Sequence, residues 1–141
     1  MIHVVGIAAI ISGVLAQLAK VFVVLIRTRQ LNMLKFFDNG GMPSSHTSLV
    51  TTLTTGIGHY AGYDSTIFSV TLMFSMYFVF EAAGLRQEVG KQARVLNDLV
   101  DELRATHHLD LSRLKELVGH TWGEVFGGFL FGLAVAWVFF R

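Results

Sequence analysis

The chain has 141 residues, of which 52% are hydrophobic and 15% are charged, with one proline and no cysteine. Soluble domains carry about 25% charged residues, so the composition and a mean hydropathy of +0.55 indicate a membrane protein of a single domain, 1–141. The near balance of 11 basic and 10 acidic residues excludes nucleic-acid binding through bulk basic charge. The lack of cysteine excludes disulfides, thiolate metal sites and cysteine nucleophiles.

Four apolar stretches predict an all-α bundle of about four membrane-spanning helices, because a spanning helix needs about 20 mostly apolar residues. The second stretch is crowded with serine and threonine, so we expect it to face protein rather than lipid. The first lacks a basic leader region and is too long for a signal-peptide core, which favours a retained helix. The stretches are Ile2 to Ile26, His46 to Tyr60, Ile67 to Ala83 and Trp122 to Phe140.

A different kind of helix is predicted between the third and fourth spans. Its apolar residues form a narrow stripe on an otherwise polar helix. Such a helix can lie on the membrane surface, pack under the bundle or pair with a second copy. The protein is therefore a candidate homo-oligomer. The stripe residues, spaced by four, three, four and three, are Val89, Ala93, Leu96, Val100 and Leu103.

The basic residues predict the orientation in the membrane. They are concentrated after the first span and between the third and fourth, whereas the turn between the second and third holds only Asp64. The positive-inside rule then predicts that both basic loops are cytoplasmic and that both termini lie outside. We expect a multi-pass protein of the cell membrane.

Ionisable residues within or beside spans are functional candidates, and here they fall at one predicted end of the bundle. Lys20 and Arg27 lie about two helical turns apart and point the same way. The alternative is that Lys20 extends to the membrane interface beside an ordinary flanking charge. Glu81 and Arg86 follow the third span, where the alternative interpretation is an interfacial ion pair.

The run Gly40-Gly41-Met42-Pro43-Ser44-Ser45-His46 predicts a tight turn followed by a helix. The glycines permit close backbone approach, and Ser44 or Ser45 can cap the helix. The amides at the start of a helix form a cradle for anions. The alternative is a capped helix with a solvent-facing His46.

His120 and Glu124 lie four residues apart, so we expect them on one helix face. A carboxylate there can hold one imidazole nitrogen and leave the other to act. The alternative is a polar pair at the start of a helix. With Lys20, Arg27, His46 and Arg86, these residues are predicted to converge at one membrane depth.

The sequence resembles the divergent branch of the type 2 phosphatidic acid phosphatase and vanadium haloperoxidase superfamily. The superfamily motifs are K-x6-R-P, P-S-G-H and S-R-x5-H-x3-D, and the small bacterial and plastid branch is similar over nearly the whole chain. Thr28 stands in place of the first motif's proline. The matching segments are Lys20-x6-Arg27, Pro43-Ser44-Ser45-His46 and His120-x3-Glu124, where Ser45 and Glu124 replace the glycine and the aspartate.

The resemblance implies a phosphatase that acts on a lipid phosphate or prenyl diphosphate, such as phosphatidylglycerophosphate, phosphatidate or polyprenyl pyrophosphate, without a cofactor or metal. His120 would attack phosphorus, Glu124 would orient His120, and His46 would protonate the leaving oxygen. The third-motif arginine is Arg86 or Arg113, and the branch pattern favours Arg86. The implied phosphate-binding residues are Lys20, Arg27, Ser45 and Arg86, with supporting roles for Ser44, Glu81 and Arg113.

Two other classes of function fit the same residues. One is a metal-dependent membrane hydrolase, since carboxylate and imidazole ligands suit Zn, Mn or Fe, although three nearby cations favour an anion. The other is a membrane protein that binds or transports lipid phosphates without catalysis, in which both histidines would be dispensable. The ligands of the metal-dependent alternative would be His46, Glu81, His120 and Glu124.

Overall fold

The computed structural model describes residues 3–29, 41–107, 114 and 120–141, and the side chains of all of these except 27, 85–87, 106 and 107. No strand occurs in the described ranges, and the predicted all-α class is confirmed. The helices are α1 (Val4–Thr28), α2 (Ser45–Ala61), α3 (Thr66–Ala83), α4 (Leu85–His107) and α5 (Trp122–Phe140).

The helices α1, α3 and α5 supply the candidate membrane spans. Within the described part of the chain, three segments are long and apolar enough to cross a bilayer, at Val4–Ile26, from Thr66 onward and at Trp122–Phe140. The second predicted span, α2, has 17 residues and is not one of them. Instead α2 lies in the middle of the bundle, in contact with α1, α3 and α5. Its serines and threonines are largely buried against protein, as the sequence predicted.

A cluster of buried hydroxyl groups joins α1, α2 and α5. Ser12 Oγ and Ser48 Oγ lie 2.6 Å apart, and Thr52 Oγ1 lies 2.8 Å from Ser12 Oγ. Thr52 Oγ1 also donates to the carbonyl oxygen of Gly132 at 3.0 Å. All three hydroxyl side chains are fully buried. Because hydrocarbon offers no partner for a polar group, such bonds hold membrane helices together, each contributing about 0.6 kcal/mol.

Two glycines bring α5 close to the backbone of α2. A Cβ atom at Gly128 would lie 2.4 Å from the carbonyl oxygen of Ser44, and one at Gly132 would lie 2.6 Å from that of Ser48. The two glycines are four residues apart, the spacing that lets membrane helices pack backbone to backbone. Neither position has room for a larger residue, so these glycines determine how closely α2 and α5 approach.

The amphipathic helix α4 contacts only α3 among the other described helices. Of its apolar stripe, Ala93 is buried, whereas Val89, Leu96 and Leu103 are 39–48% exposed. The buried neighbour of the stripe is polar, since Asn97 is only 2% exposed. Thus α4 packs beside the bundle through a small face that includes Ala93 and Asn97.

We predict that Gly128→Ala destabilises the protein, whereas Gly123→Ala does not. The added methyl group at Gly128 meets backbone that cannot yield without separating α2 from α5, and overpacking of this kind costs about 1–3 kcal/mol. At Gly123 the nearest atom, Thr121 Oγ1, is 3.9 Å away, and alanine favours the helix. Thermal unfolding of both variants in one detergent measures the difference. Equal midpoints for the two variants would contradict this account of the packing.

Candidate active site

The functional candidates lie where α1 and α3 end and α2 and α5 begin. Two backbone hydrogen bonds hold this end together. The Ser44 amide, just before α2, donates to the Glu124 carbonyl oxygen in the first turn of α5 at 3.1 Å. The His120 amide, just before α5, donates to the Ala82 carbonyl oxygen near the end of α3 at 3.1 Å.

The two histidines lie side by side. The ring centroids of His46 and His120 are 5.8 Å apart and the rings are nearly perpendicular, at 81°. His120 is fully buried, whereas His46 is exposed. His120 precedes Thr121, the N-cap of α5, so it lies outside the helix. The expectation that His120 and Glu124 share a helix face was therefore wrong, and the backbone bond to Ala82 positions His120 instead.

Glu124 makes a capping box with Thr121. Its Oε2 accepts a hydrogen bond from the Thr121 amide at 2.9 Å, and the Glu124 amide donates to Thr121 Oγ1 at 3.3 Å. The carboxylate therefore satisfies the amide of the residue that directly follows His120. A capping carboxylate also interacts favourably with the positive end of the helix dipole.

Ser44 and Ser45, at the start of α2, have different structural roles. Ser44 is the N-cap, and its Oγ accepts from the Thr47 amide at 3.4 Å and from Thr47 Oγ1 at 3.1 Å. Ser45 is the first residue of the helix and is buried. Gly41 has a φ of 98°, a conformation that favours glycine. The turn-and-helix prediction for this run is confirmed over its described residues, 41–46.

Lys20 is buried next to that turn. It is 3% exposed, and its Cδ would lie 3.7 Å from a Cβ atom at Gly41. The alternative that Lys20 extends to the membrane interface is therefore wrong. The side chains of Arg27 and Arg86 lie outside the described residues, as does Arg113.

Glu81 is half-buried at the end of α3, one residue before Ala82. The predicted pairing with Arg86 concerns a side chain outside the described residues. Glu81 thus lies next to the residue whose carbonyl oxygen accepts the hydrogen bond from the His120 amide.

The residues of the metal-dependent alternative do not assemble into a ligand set. Among the described residues, no three His, Cys, Asp or Glu side chains are arranged to hold a metal ion. His46, Glu81, His120 and Glu124 are all within the part of the chain to which this applies.

Two buried amides at this end of the molecule were missed by the sequence reasoning. Gln17, one turn before Lys20 on α1, has a buried Oε1 with no hydrogen-bond partner among the described residues. Asn97 accepts from the Leu114 amide at 2.7 Å and donates to the Leu114 carbonyl oxygen at 3.0 Å. Asn97 thereby ties the chain six residues before His120 to α4. The sequence carried a signal for each. Gln17 is an amide within an apolar span, and Asn97 follows Ala93 of the apolar stripe by four residues, about one helical turn.

Comparison with known proteins places these residues in a family. The sequence model described as the divergent PAP2 family matches residues 3–135. A membrane protein of Bacillus subtilis (strain 168), described as uncharacterized and named YuiD, is 38% identical, with 89% of this chain and 86% of that protein aligned. No solved structure matches the chain.

We predict that Glu124→Gln and Glu124→Ala differ in stability. Glutamine keeps an oxygen for the Thr121 amide, so its unfolding midpoint should stay near that of the wild type. Alanine removes half of the capping box and should lower the free energy of unfolding by about 0.5–2 kcal/mol. Chemical unfolding in detergent measures both variants. Equal destabilisation would mean that the charge of Glu124, and not its capping hydrogen bond, stabilises the helix start.

Proposed function

Since this chain belongs to the divergent PAP2 family, we propose that it is an integral-membrane phosphatase that hydrolyses a lipid phosphate or prenyl diphosphate through a phosphohistidine intermediate. The observation that carries the proposal is the His46–His120 pair, held at 5.8 Å between ring centroids at the end of a bundle of apolar helices. A site at that position suits a substrate whose apolar part stays in the bilayer.

The reaction has two steps, each with a role for both histidines. First, an imidazole nitrogen of His120 attacks phosphorus and forms the P–N bond as the P–O bond to the lipid breaks. His46 gives its proton to the leaving oxygen. Second, water attacks the phosphorus, the P–N bond breaks, and His46 takes a proton from that water. Phosphate leaves, and both side chains return to their initial states.

In this proposal, Lys20 and the start of α2 supply the positive charge that holds the phosphoryl group. The buried Lys20 lies beside Gly41, and the α2 N-terminus at Ser45 presents backbone amides. Donors fixed in a water-poor site stabilise the charge that spreads over the phosphoryl oxygens in the transition state. In this proposal Arg27 and Arg86 contribute two further cations, as in the family motifs.

The cap of α5 supports this proposed site through the residue that follows His120. Glu124 holds the Thr121 amide and would also stabilise the positive charge that His120 gains when it is phosphorylated. Ser44, the α2 cap, is bonded to the Glu124 carbonyl oxygen, so the two helix starts carrying His46 and His120 cannot move independently.

We predict that His120→Ala abolishes phosphate release from lipid phosphates and that His46→Ala slows it by about 10²–10⁴-fold, the usual contribution of a general acid. The leaving group of an aryl phosphate is a weak base and needs no proton. With this substrate the His46→Ala variant should therefore recover much of the wild-type rate, whereas the His120→Ala variant should recover none of it. The measurement is phosphate release by purified protein from a panel of lipid phosphates and an aryl phosphate, with excess chelator present.

The matched control is His59→Ala. His59 lies near the other end of α2, where its ring stacks on Phe140 at 6.3 Å, and its removal should leave the rate unchanged. Vanadate, a mimic of the phosphoryl transition state, should inhibit the wild type. Loss of all activity in chelator would favour the metal-dependent alternative. Full activity of both His46→Ala and His120→Ala would refute the phosphohistidine mechanism.

We further propose that this end of the bundle faces the cytoplasm of a cell membrane. The basic residues of α4 follow the end of α3 that carries Ala82, whereas the α2–α3 turn at the other end carries only the acidic Asp64. The positive-inside rule places the more basic end in the cytoplasm.

The absence of cysteine makes this orientation testable. We expect Asp64→Cys to react with a membrane-impermeant maleimide added to intact cells, because Asp64 is exposed in the α2–α3 turn. Leu103→Cys, exposed on α4, should react only in inside-out vesicles or after permeabilisation. The reverse pattern would place the site on the outer face.

A further inference from the structure

A groove of about 620 Å³ lies between α2, α3 and α5. Its first residues, Thr47, Phe80 and Trp122, lie at the end of the bundle that carries the histidine pair, and its far end reaches Thr55 and Leu72. Along α2 and α3 this is eight residues, or about 12 Å at 1.5 Å per residue. The groove therefore begins at the end of the bundle that carries the histidine pair and runs along the helices toward its other end.

We propose that this groove binds one hydrocarbon chain of the lipid whose phosphate lies at the histidine pair. The inference rests on the proposed function for the position of the head group. It adds a site for the tail and identifies the residues that recognise it. A chain in the groove would leave the head group at the shared starts of α2 and α5.

The groove is apolar although threonine and serine line much of it. Its surface is almost entirely carbon. Three of its five hydroxyl groups are bonded to other groups: Thr47 Oγ1 donates to Ser44, and Thr54 Oγ1 bonds to the Val50 carbonyl oxygen and to Ser75 Oγ, each at 2.8 Å. A surface that is mostly carbon, with most of its hydroxyls already bonded, offers contacts to a hydrocarbon chain and few to a polar head group.

Two aromatic rings mark the boundary between the tail groove and the phosphate site. Phe80 and Trp122 pack edge to face with ring centroids 6.1 Å apart, and both are more than half exposed. Trp122 lies only two residues after His120. Tryptophan is enriched where the hydrocarbon of a membrane meets the head groups, so this pair lies at the depth where a substrate changes from tail to phosphate.

The expected contribution of the groove is positioning rather than affinity. A chain that leaves the bilayer for the groove exchanges one apolar environment for another, so the hydrophobic effect contributes little. Van der Waals contact in the groove instead fixes where the phosphorus lies relative to His120, and misplacing a reacting group by about 1 Å can cost about 10²-fold in rate. Blocking the groove should therefore lower kcat/KM for tailed substrates specifically.

The first test fills the groove from its α3 wall. Val79 lines the groove and is half-buried, whereas Val70 is 46% exposed on the same helix and does not line it. We expect Val79→Phe to lower kcat/KM for a long-chain lipid phosphate in mixed micelles by about 10- to 100-fold. It should leave hydrolysis of a tail-less aryl phosphate unchanged, and Val70→Phe should change neither. Equal loss for both substrates, or no loss for either, would overturn the proposal.

A second test measures lipid binding and does not depend on catalysis. It therefore tests the tail site independently of the phosphatase proposal. Wild-type protein in phosphatidylcholine vesicles is photolabelled with a phosphatidate that carries a diazirine in its chain, or with the same probe as phosphatidylcholine. We expect the phosphatidate probe to label groove residues such as Thr51, Val79 and Val125 well above the phosphatidylcholine probe. Equal labelling would show that ordinary membrane lipid occupies the groove and would overturn the inference. If the phosphatidate probe labels the groove selectively but the protein releases no phosphate, the tail-site proposal is supported and the phosphatase proposal is refuted.

Discussion

The close contact between α2 and α5 is the constraint on which the rest of this molecule depends. Within a bilayer, helices cannot be driven together by the hydrophobic effect, so packing and hydrogen bonding must do so. Here the glycines of α5 remove the atoms that would separate the two backbones, and the hydroxyls of α2 bond across the gap and to α1. Both helices begin at the same end, so this contact brings His46, in the first turn of α2, beside His120, just before α5.

The same residues serve both the helix starts and the site. Ser44 caps α2 and bonds to the backbone of Glu124, while Glu124 caps α5 and bonds to the backbone of Thr121. A cap has fixed geometry because it satisfies amides that would otherwise lack partners. His46 and His120 lie within two residues of these caps, so the same hydrogen bonds hold the backbone that carries the two rings, whose centroids are 5.8 Å apart.

The two faces of α2 explain how a helix rich in threonine can lie at the centre of a membrane protein. Toward α1 and α5 its hydroxyls make interhelical bonds, as at Ser48 and Thr52. Toward α3 its threonines line the groove, with the hydroxyls of Thr47 and Thr54 already bonded to other groups. One element thus supplies polar contacts for the bundle and an apolar wall for the groove.

The sequence by itself determined which segments are helical and what they are made of. Apolar length predicted the helices to within about two residues at most ends, serine and threonine content predicted a protein-facing α2, and the glycine–proline–serine run predicted its cap. The residue types of the candidate site followed from ionisable groups placed against apolar spans and from the family motifs.

Only the tertiary structure decided that His120 lies outside α5, that Glu124 caps the helix and that Lys20 is buried against Gly41. The tie from Asn97 to Leu114 and the groove between three helices also came only from the structure. The physical reason is that hydropathy and spacing report what each residue type prefers within its own helix, whereas these features depend on which backbone atoms of other helices come close to it.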